Sequence, residues 1–137
     1  MIKGIAHLAF QVSDMDKAVA FYEDALGCTK KFILYDDHGQ PWIIYMQITE
    51  NQFIELFFAH RNIVSKQDET SYQHLCIEVT NIHALVKELH DKGIKIEKQV
   101  TLGLDHNYQC WIKDPDGNPI ELMEYGIDSL QLGIEKE

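Results

Sequence analysis

Two histidines and two glutamates occupy matching places in the two halves of this 137-residue chain. His7 begins the segment His7-Leu8-Ala9-Phe10-Gln11-Val12-Ser13-Asp14, and His74 begins its counterpart His74-Leu75-Cys76-Ile77-Glu78-Val79-Thr80-Asn81. Glu55 and Glu121 are separated by nearly the same interval as the histidines, and each lies in a second repeated segment, Ile-Glu-Leu. Imidazoles and carboxylates bind divalent metals, and a carboxylate within an apolar strand is costly unless it is paired or bound to a metal. The four residues therefore predict a metal site.

Each of these residues also has an ordinary structural interpretation when it is considered alone. A single buried histidine is commonly a hydrogen-bonded structural residue, and a single glutamate in a strand is commonly solvated. Strand alternation places His74 on one face with Cys76, which either lines the predicted cavity or fills a small space in the core. The pair Asp105-His106, in the loop 103–107, is a further candidate contact of the site.

The repeat extends to the elements that must position these side chains. In each half, a helical apolar pattern follows the histidine segment, and Gly27 and Gly93 are plausible helix ends. The predicted helices are Met15–Leu26 and Ile82–Lys92, and the predicted strands are Ile5–Val12, Lys30–Asp36, Trp42–Thr49, Gln52–Phe58, Tyr72–Val79, Lys95–Gln99, Tyr108–Lys113 and Pro119–Tyr125.

The two halves are predicted to form one domain, because a module of this size is too small to bury its own sheet. That domain spans residues 1–126, with module one at about 1–60 and module two at about 70–126. The polar segment Ala59–Thr70 is predicted to connect the modules, and residues 127–137 form a C-terminal tail.

The composition argues against several classes of function. Acidic residues outnumber basic ones 22 to 12 and the formal charge is −10, so binding to nucleic acid or to a membrane surface is not expected. No apolar run approaches the roughly 20 residues that span a bilayer. Three widely spaced cysteines are typical of a reduced, cytoplasmic protein. The chain has neither a glycine-rich phosphate loop nor a GxSxG nucleophile motif.

The sequence resembles the vicinal oxygen chelate superfamily, which includes glyoxalase I, methylmalonyl-CoA epimerase, extradiol dioxygenases and fosfomycin-resistance proteins. The resemblance covers about Ile2–Tyr125, and it is carried by His7–Asp14, Ala20-Phe21-Tyr22 through Leu26-Gly27, His74–Val79 and Asp114–Leu122. It implies an α+β fold in which two paired βαβββ modules form a curved mixed sheet around a metal cavity.

The ligand pattern most resembles that of glyoxalase I (lactoylglutathione lyase), whose His-Glu-His-Glu set falls on His7, Glu55, His74 and Glu121. The resemblance implies one divalent ion per site (zinc, nickel, cobalt, manganese or iron), a small-molecule substrate and a homodimer. Gln11 and Ala59 stand where bacterial glyoxalase I has an Arg and an Asn that hold glutathione. This departure favours a substrate other than the glutathione adduct.

The reaction implied by the resemblance is a lyase or isomerase reaction on a small α-hydroxycarbonyl or 2-oxoaldehyde-derived compound. A proton moves between adjacent carbons through a metal-stabilised enediolate, with Glu121 as the catalytic base and Glu55 as its symmetric alternate. Two alternatives remain open. One is a metal-dependent dioxygenase, which needs only His7, His74 and Glu121. The other is a non-catalytic small-molecule binding or resistance protein.

Overall fold

Each half of the chain folds as a strand, a helix and three further strands. The structure is a computed structural model, and it describes residues 1, 4–59 and 73–132. The chain divides into two units, Met1–Ser65 and Lys66–Glu137. Residues 60–72 lie outside the described residues, and they include most of the predicted connector and the start of the fifth predicted strand. Residues 133–137 of the predicted tail also lie outside them.

The first unit is a four-stranded mixed sheet covered on one face by a helix. Its elements are β1 (His7–Val12), α1 (Met15–Asp24), β2 (Thr29–Tyr35), β3 (Pro41–Thr49) and β4 (Gln52–Phe58). The strand order is β1-β4-β3-β2; β1 runs parallel to β4, and the other neighbours are antiparallel. Buried side chains of the sheet, including Met46, Ile54 and Leu56, and the helical residues Ala18 and Tyr22 form the core. The opposite face of the sheet is therefore left for His7 and Glu55.

The second unit repeats this topology. Its elements are β5 (Leu75–Glu78), α2 (Ile82–Asp91), β6 (Lys98–Leu102), β7 (Tyr108–Lys113) and β8 (Pro119–Glu124), and its strand order is β5-β8-β7-β6. The strand β5 pairs in parallel with β8. Ile120 and Leu122 of β8 and Leu89 of α2 are completely buried. The predicted βαβββ repeat and the α+β class are thus confirmed in both units.

Local sequence explains where both helices begin and end. The carboxylate of Asp14 accepts a hydrogen bond from the Lys17 amide at 3.1 Å, and the side chain of Asn81 accepts one from the Ala84 amide at 3.4 Å. These side chains satisfy amides that lack a partner in the first helical turn. Gly27 and Gly93 follow the helices with φ of 67° and 76°, in the left-handed region that ends many helices.

One strand was predicted in the wrong place. The prediction put a strand at Lys95–Gln99, whereas β6 spans Lys98–Leu102. The apolar alternation around Ile94 and Ile96 resembles a strand, but ladder pairing with β7 begins only at the Glu97 amide, which donates to the Trp111 carbonyl at 2.7 Å. Within the described residues, no helix is both long and apolar enough to cross a membrane.

Candidate functional site

The first candidate pair, His7 and Glu55, forms where β1 meets β4. The parallel register sets Ala9 opposite Glu55 and His7 opposite Phe53, so His7 and Glu55 lie on the same face of the sheet. The His7 Nε2 atom is 3.5 Å from Glu55 Oε1. The Glu55 side chain is only 8% exposed, whereas that of His7 is 47% exposed. A nearly buried carboxylate thus has an accessible imidazole as its neighbour.

The second pair, His74 and Glu121, occupies the equivalent place in the other unit. His74 lies immediately before β5, and Cys76 of that strand is opposite Glu121 of β8. The His74 Nε2 atom is 3.0 Å from Glu121 Oε2, with side-chain exposures of 35% and 13%. The structure therefore brings the four predicted residues together as two pairs, one in each unit.

The donor atoms of each pair fit a common metal ion. Two ligands each about 2.1 Å from one ion lie about 3.0 Å apart at a right angle and about 3.4 Å apart at the tetrahedral angle. The measured separations of 3.5 and 3.0 Å match these values. Across residues 1, 4–59 and 73–132, no three His, Cys, Asp or Glu side chains are grouped so that they could hold an ion. Each unit by itself thus offers two candidate ligands.

The two glutamates differ in their remaining partners. The Tyr45 hydroxyl donates a hydrogen bond to Glu55, and this bond is the main cause that raises the pKa of Tyr45. Tyr45 lies opposite Glu55 on β3, as Trp111 lies opposite Glu121 on β7. The Trp111 indole, however, donates to Gln109 Oε1 at 3.0 Å. Tyr45 is not among the residues predicted from the sequence, although the interval from Tyr45 to Trp111 equals the interval between the two glutamates.

Glu121 has the thiol of Cys76 as its additional partner. Desolvation is the largest cause that raises the Cys76 pKa to about 12, followed by the charge of Glu121 and a hydrogen bond to it. Part of the Cys76 residue remains exposed. Of the two interpretations made from the sequence, the structure therefore favours Cys76 as a residue beside the candidate site. Its counterpart in the first unit is Ala9, which has no side-chain donor.

A family profile covers nearly the whole chain. Residues 4–122 match the Glyoxalase/Bleomycin resistance protein/Dioxygenase superfamily. The chain belongs to this superfamily. The "Uncharacterized protein YwkD" of Bacillus subtilis is 30% identical over 128 residues, covering 90% of this chain and 98% of its own. A "Probable lactoylglutathione lyase" of Synechocystis is 29% identical over 126 residues, covering 88% and 94%.

The fold of this glyoxalase-superfamily chain also matches solved structures. The crystal structure of the glyoxalase family protein from Enterococcus faecalis aligns with a TM-score of 0.75 at 23% identity, covering 89% of this chain and 98% of that one. At this level of identity the match shows a shared fold. The βαβββ repeat predicted from the sequence is therefore confirmed by the topology of each unit and by the comparison.

The Asp105-His106 loop of this superfamily member binds the described part of the tail. His106 Nδ1 lies 3.1 Å from the Asp128 carbonyl oxygen, and the Leu130 amide donates to the Asp105 carbonyl at 2.9 Å. The Asn107 backbone amide, and then the Asn107 side chain, donate to the Asp105 carboxylate and lower its pKa. The charge of Asp105 also raises the pKa of Cys76, so the loop lies beside the candidate site while its hydrogen bonds hold the tail.

Proposed function

We propose that the chain is a metal-dependent lyase or isomerase of the glyoxalase I type. It would move a proton between adjacent carbons of a small α-hydroxycarbonyl or 2-oxoaldehyde-derived substrate. The observation that carries this proposal is the recurrence of a His–Glu pair at equivalent strand positions in both units, at 3.5 and 3.0 Å. The Synechocystis relative named "Probable lactoylglutathione lyase" supports the reaction class.

In this proposal, His7, Glu55, His74 and Glu121 bind one divalent ion, which is zinc, nickel, cobalt, manganese or iron. Two imidazoles and two carboxylates form a borderline donor set that accepts all of these ions. When bound, the ion supplies Lewis-acid stabilisation of negative charge on adjacent substrate oxygens. The protein contributes two pairs whose donor atoms already lie at ligand-to-ligand distances.

Glu121 is proposed as the catalytic base, and Glu55 is its symmetric alternate. A carboxylate that carries a proton between carbons must exchange its existing contacts for the substrate. Glu55 would give up a phenolic hydrogen bond from Tyr45, whereas Glu121 would give up a bond from the Cys76 thiol, which is the weaker donor. The smaller cost at Glu121 supports it as the residue that moves the proton.

Metal content measured on purified protein tests the site. Elemental analysis of the wild type is expected to find one divalent ion per site. Each of the variants His7→Ala, Glu55→Ala, His74→Ala and Glu121→Ala is expected to lose most of it, because every ligand contributes a bond. His83→Ala is a matched control, since His83 lies on α2. Metal retained at the wild-type level in all four ligand variants contradicts the proposed site.

The reaction class is tested on a panel of hydroxyketones and 2-oxoaldehyde–thiol adducts with each reconstituted metal form. Glu121→Gln is expected to lower turnover by about 100-fold or more, since general base catalysis contributes about 10²- to 10⁴-fold. Full turnover by a Glu121→Gln protein that still holds its metal contradicts the assigned role. Oxygen consumption with a catechol that survives Glu55→Gln identifies the dioxygenase alternative instead.

The proposal includes a homodimer, and it leaves open whether one chain or two chains supply a site's four ligands. Mixing His7→Ala chains with His74→Ala chains separates these arrangements. Shared sites regenerate one intact His–Glu–His–Glu set in each mixed dimer. Random reassociation makes about half of the dimers mixed, so about a quarter of the wild-type metal binding returns. Sites formed within a chain leave every site defective, and no metal binding returns.

A further inference from the structure

An open cavity of about 390 Å³ lies beside His74 in the second unit. All of its lining residues belong to the part of the chain after residue 72: Gln73, His74, Glu97, Lys98, Trp111, Ile112, Lys113 and Pro119. The Trp111 ring is close to two of them, with its centroid 4.7 Å from the His74 ring centroid and 5.2 Å from Lys98 Nζ. The cavity thus extends from a candidate metal ligand to an ammonium group.

The charges on the cavity wall are predominantly positive. Lys98 and Lys113 both line it, and no ion pair joins either of them to a carboxylate within the described residues. The one acidic residue of the lining, Glu97, has its carboxylate 3.2 Å from the Lys95 ammonium. Lys95 offsets Glu97. Two ammonium groups without a carboxylate partner in the described part of the chain therefore remain on this wall, within a chain whose formal charge is −10.

The positions of the first unit that are equivalent to Lys98 and Lys113 carry no charge. The cross-strand partner of Trp111 on β6 is Lys98, whereas the partner of Tyr45 on β2 is Phe32, whose ring stacks on Tyr45 at 4.3 Å. Gln47 stands at the position that the repeat matches to Lys113. The two ammonium groups are therefore particular to the second unit and are not a general property of the repeated fold.

We infer that the cavity of the second unit is an oxyanion subsite that holds a carboxylate or phosphate group of the substrate beside His74. Lys98 and Lys113 supply the charge, and the Trp111 ring supplies a flat apolar wall for the adjoining carbons. The proposed reaction acts on carbons next to a metal-bound group, so this inference, which rests on the proposed function, specifies the substrate as an anionic hydroxycarbonyl compound.

Trp111 provides a direct readout, because the chain has only one other tryptophan, Trp42 in the first unit. In metal-free Trp42→Phe protein, fluorescence is titrated with inorganic phosphate and with acetate at constant ionic strength. We expect a saturable change with at least one anion, and the anion that binds more tightly identifies the substrate group as phosphate or carboxylate. If neither anion gives a saturable change, the inference is overturned.

Charge variants test which side chains bind the anion. Lys98→Gln and Lys113→Gln are each expected to raise the dissociation constant about 3- to 10-fold, as for partly exposed charge pairs. Glu97→Gln removes the negative charge from the cavity wall and is expected to lower the dissociation constant of the anion. Lys87→Gln loses the same charge from α2, outside the cavity lining, and is expected to change it less than about 2-fold. Equal constants for all three lysine variants overturn the inference.

The anion titration and the metal analysis can fail separately. The titration uses protein without metal and residues of one unit, whereas the metal analysis uses the four proposed ligands. If anion binding depends on Lys98 and Lys113 but the purified protein contains no metal, the proposed subsite stands and the proposed function is refuted. If the protein binds metal but shows no saturable anion binding, the proposed metal site stands and the subsite is refuted.

Discussion

Removing the Tyr45 hydroxyl is expected to loosen Glu55 and destabilise the first unit. In Tyr45→Phe the ring can still stack on Phe32 at 4.3 Å, so the change isolates the hydrogen bond to the carboxylate. A hydrogen bond to a charged group contributes about 1.5–3 kcal/mol. Glu55 is nearly buried but Tyr45 is only half-buried, so solvent screening reduces the expected loss to about 1 kcal/mol. For a chain of this length, that loss lowers the melting temperature by about 3 °C.

A double-mutant cycle measures this bond directly. Urea unfolding of metal-free wild type, Tyr45→Phe, Glu55→Gln and the double variant gives the coupling free energy, for which we expect about 0.5–1 kcal/mol. Tyr35→Phe is the matched control, because Tyr35 is 58% exposed and its hydroxyl loss should cost less than about 0.5 kcal/mol. A coupling below about 0.3 kcal/mol would refute the bond, and with it the argument that Glu55 is held more firmly than Glu121.

Three further predictions concern the described residues around the site and the core. With a pKa of about 12, Cys76 exists almost entirely as the thiol at pH 8. Iodoacetamide should therefore react with it about 10³-fold more slowly than with free cysteine, and the rate should rise about tenfold per pH unit up to that pKa. Rates near those of free cysteine would contradict the raised pKa. Leu56→Ala and Leu122→Ala each remove a completely buried side chain and should cost about 3–5 kcal/mol in urea unfolding; a loss below about 1 kcal/mol would show that these sites relax. A Cβ at Gly126 would overlap the His106 carbonyl oxygen, so Gly126→Ala should cost about 1–3 kcal/mol, and unchanged stability would disprove the close approach of tail and loop.

The paired candidate residues could be predicted because their positions follow from strand periodicity. His7 and Glu55 each lie between apolar residues of a strand, and the repeat supplies a second instance of the same pattern in His74 and Glu121. Alternation places such residues on the face opposite the helix whatever the exact register. The metal-ligand roles of the four residues stay predictions. The structure provides the two pairs, and the metal analysis tests whether these residues bind an ion.

The partners of the glutamates could not be predicted, because they depend on cross-strand register. Tyr45 reaches Glu55 only because β3 and β4 pair in one particular alignment. A shift of two residues would keep its ring on the same face but set it opposite Phe53 or Phe57. The misplaced start of β6 has a similar cause, since Ile94 and Ile96 alternate like a strand while ladder pairing starts later. Local pattern specifies which face a side chain occupies, whereas hydrogen-bonded pairing specifies its neighbour.

The parallel pairing of each unit's first and last strands has a consequence for how the protein forms. Glu55 is far from His7 along the chain, and Glu121 is nearly as far from His74, because a helix and two further strands lie between the members of each pair. Contacts of such long sequence separation carry the largest chain-closure entropy and slow folding. On the ribosome, His7 emerges long before its partner strand is synthesised. Each His–Glu pair is therefore completed only when the last strand of its unit docks, so the approach of its two side chains during refolding reports that docking step.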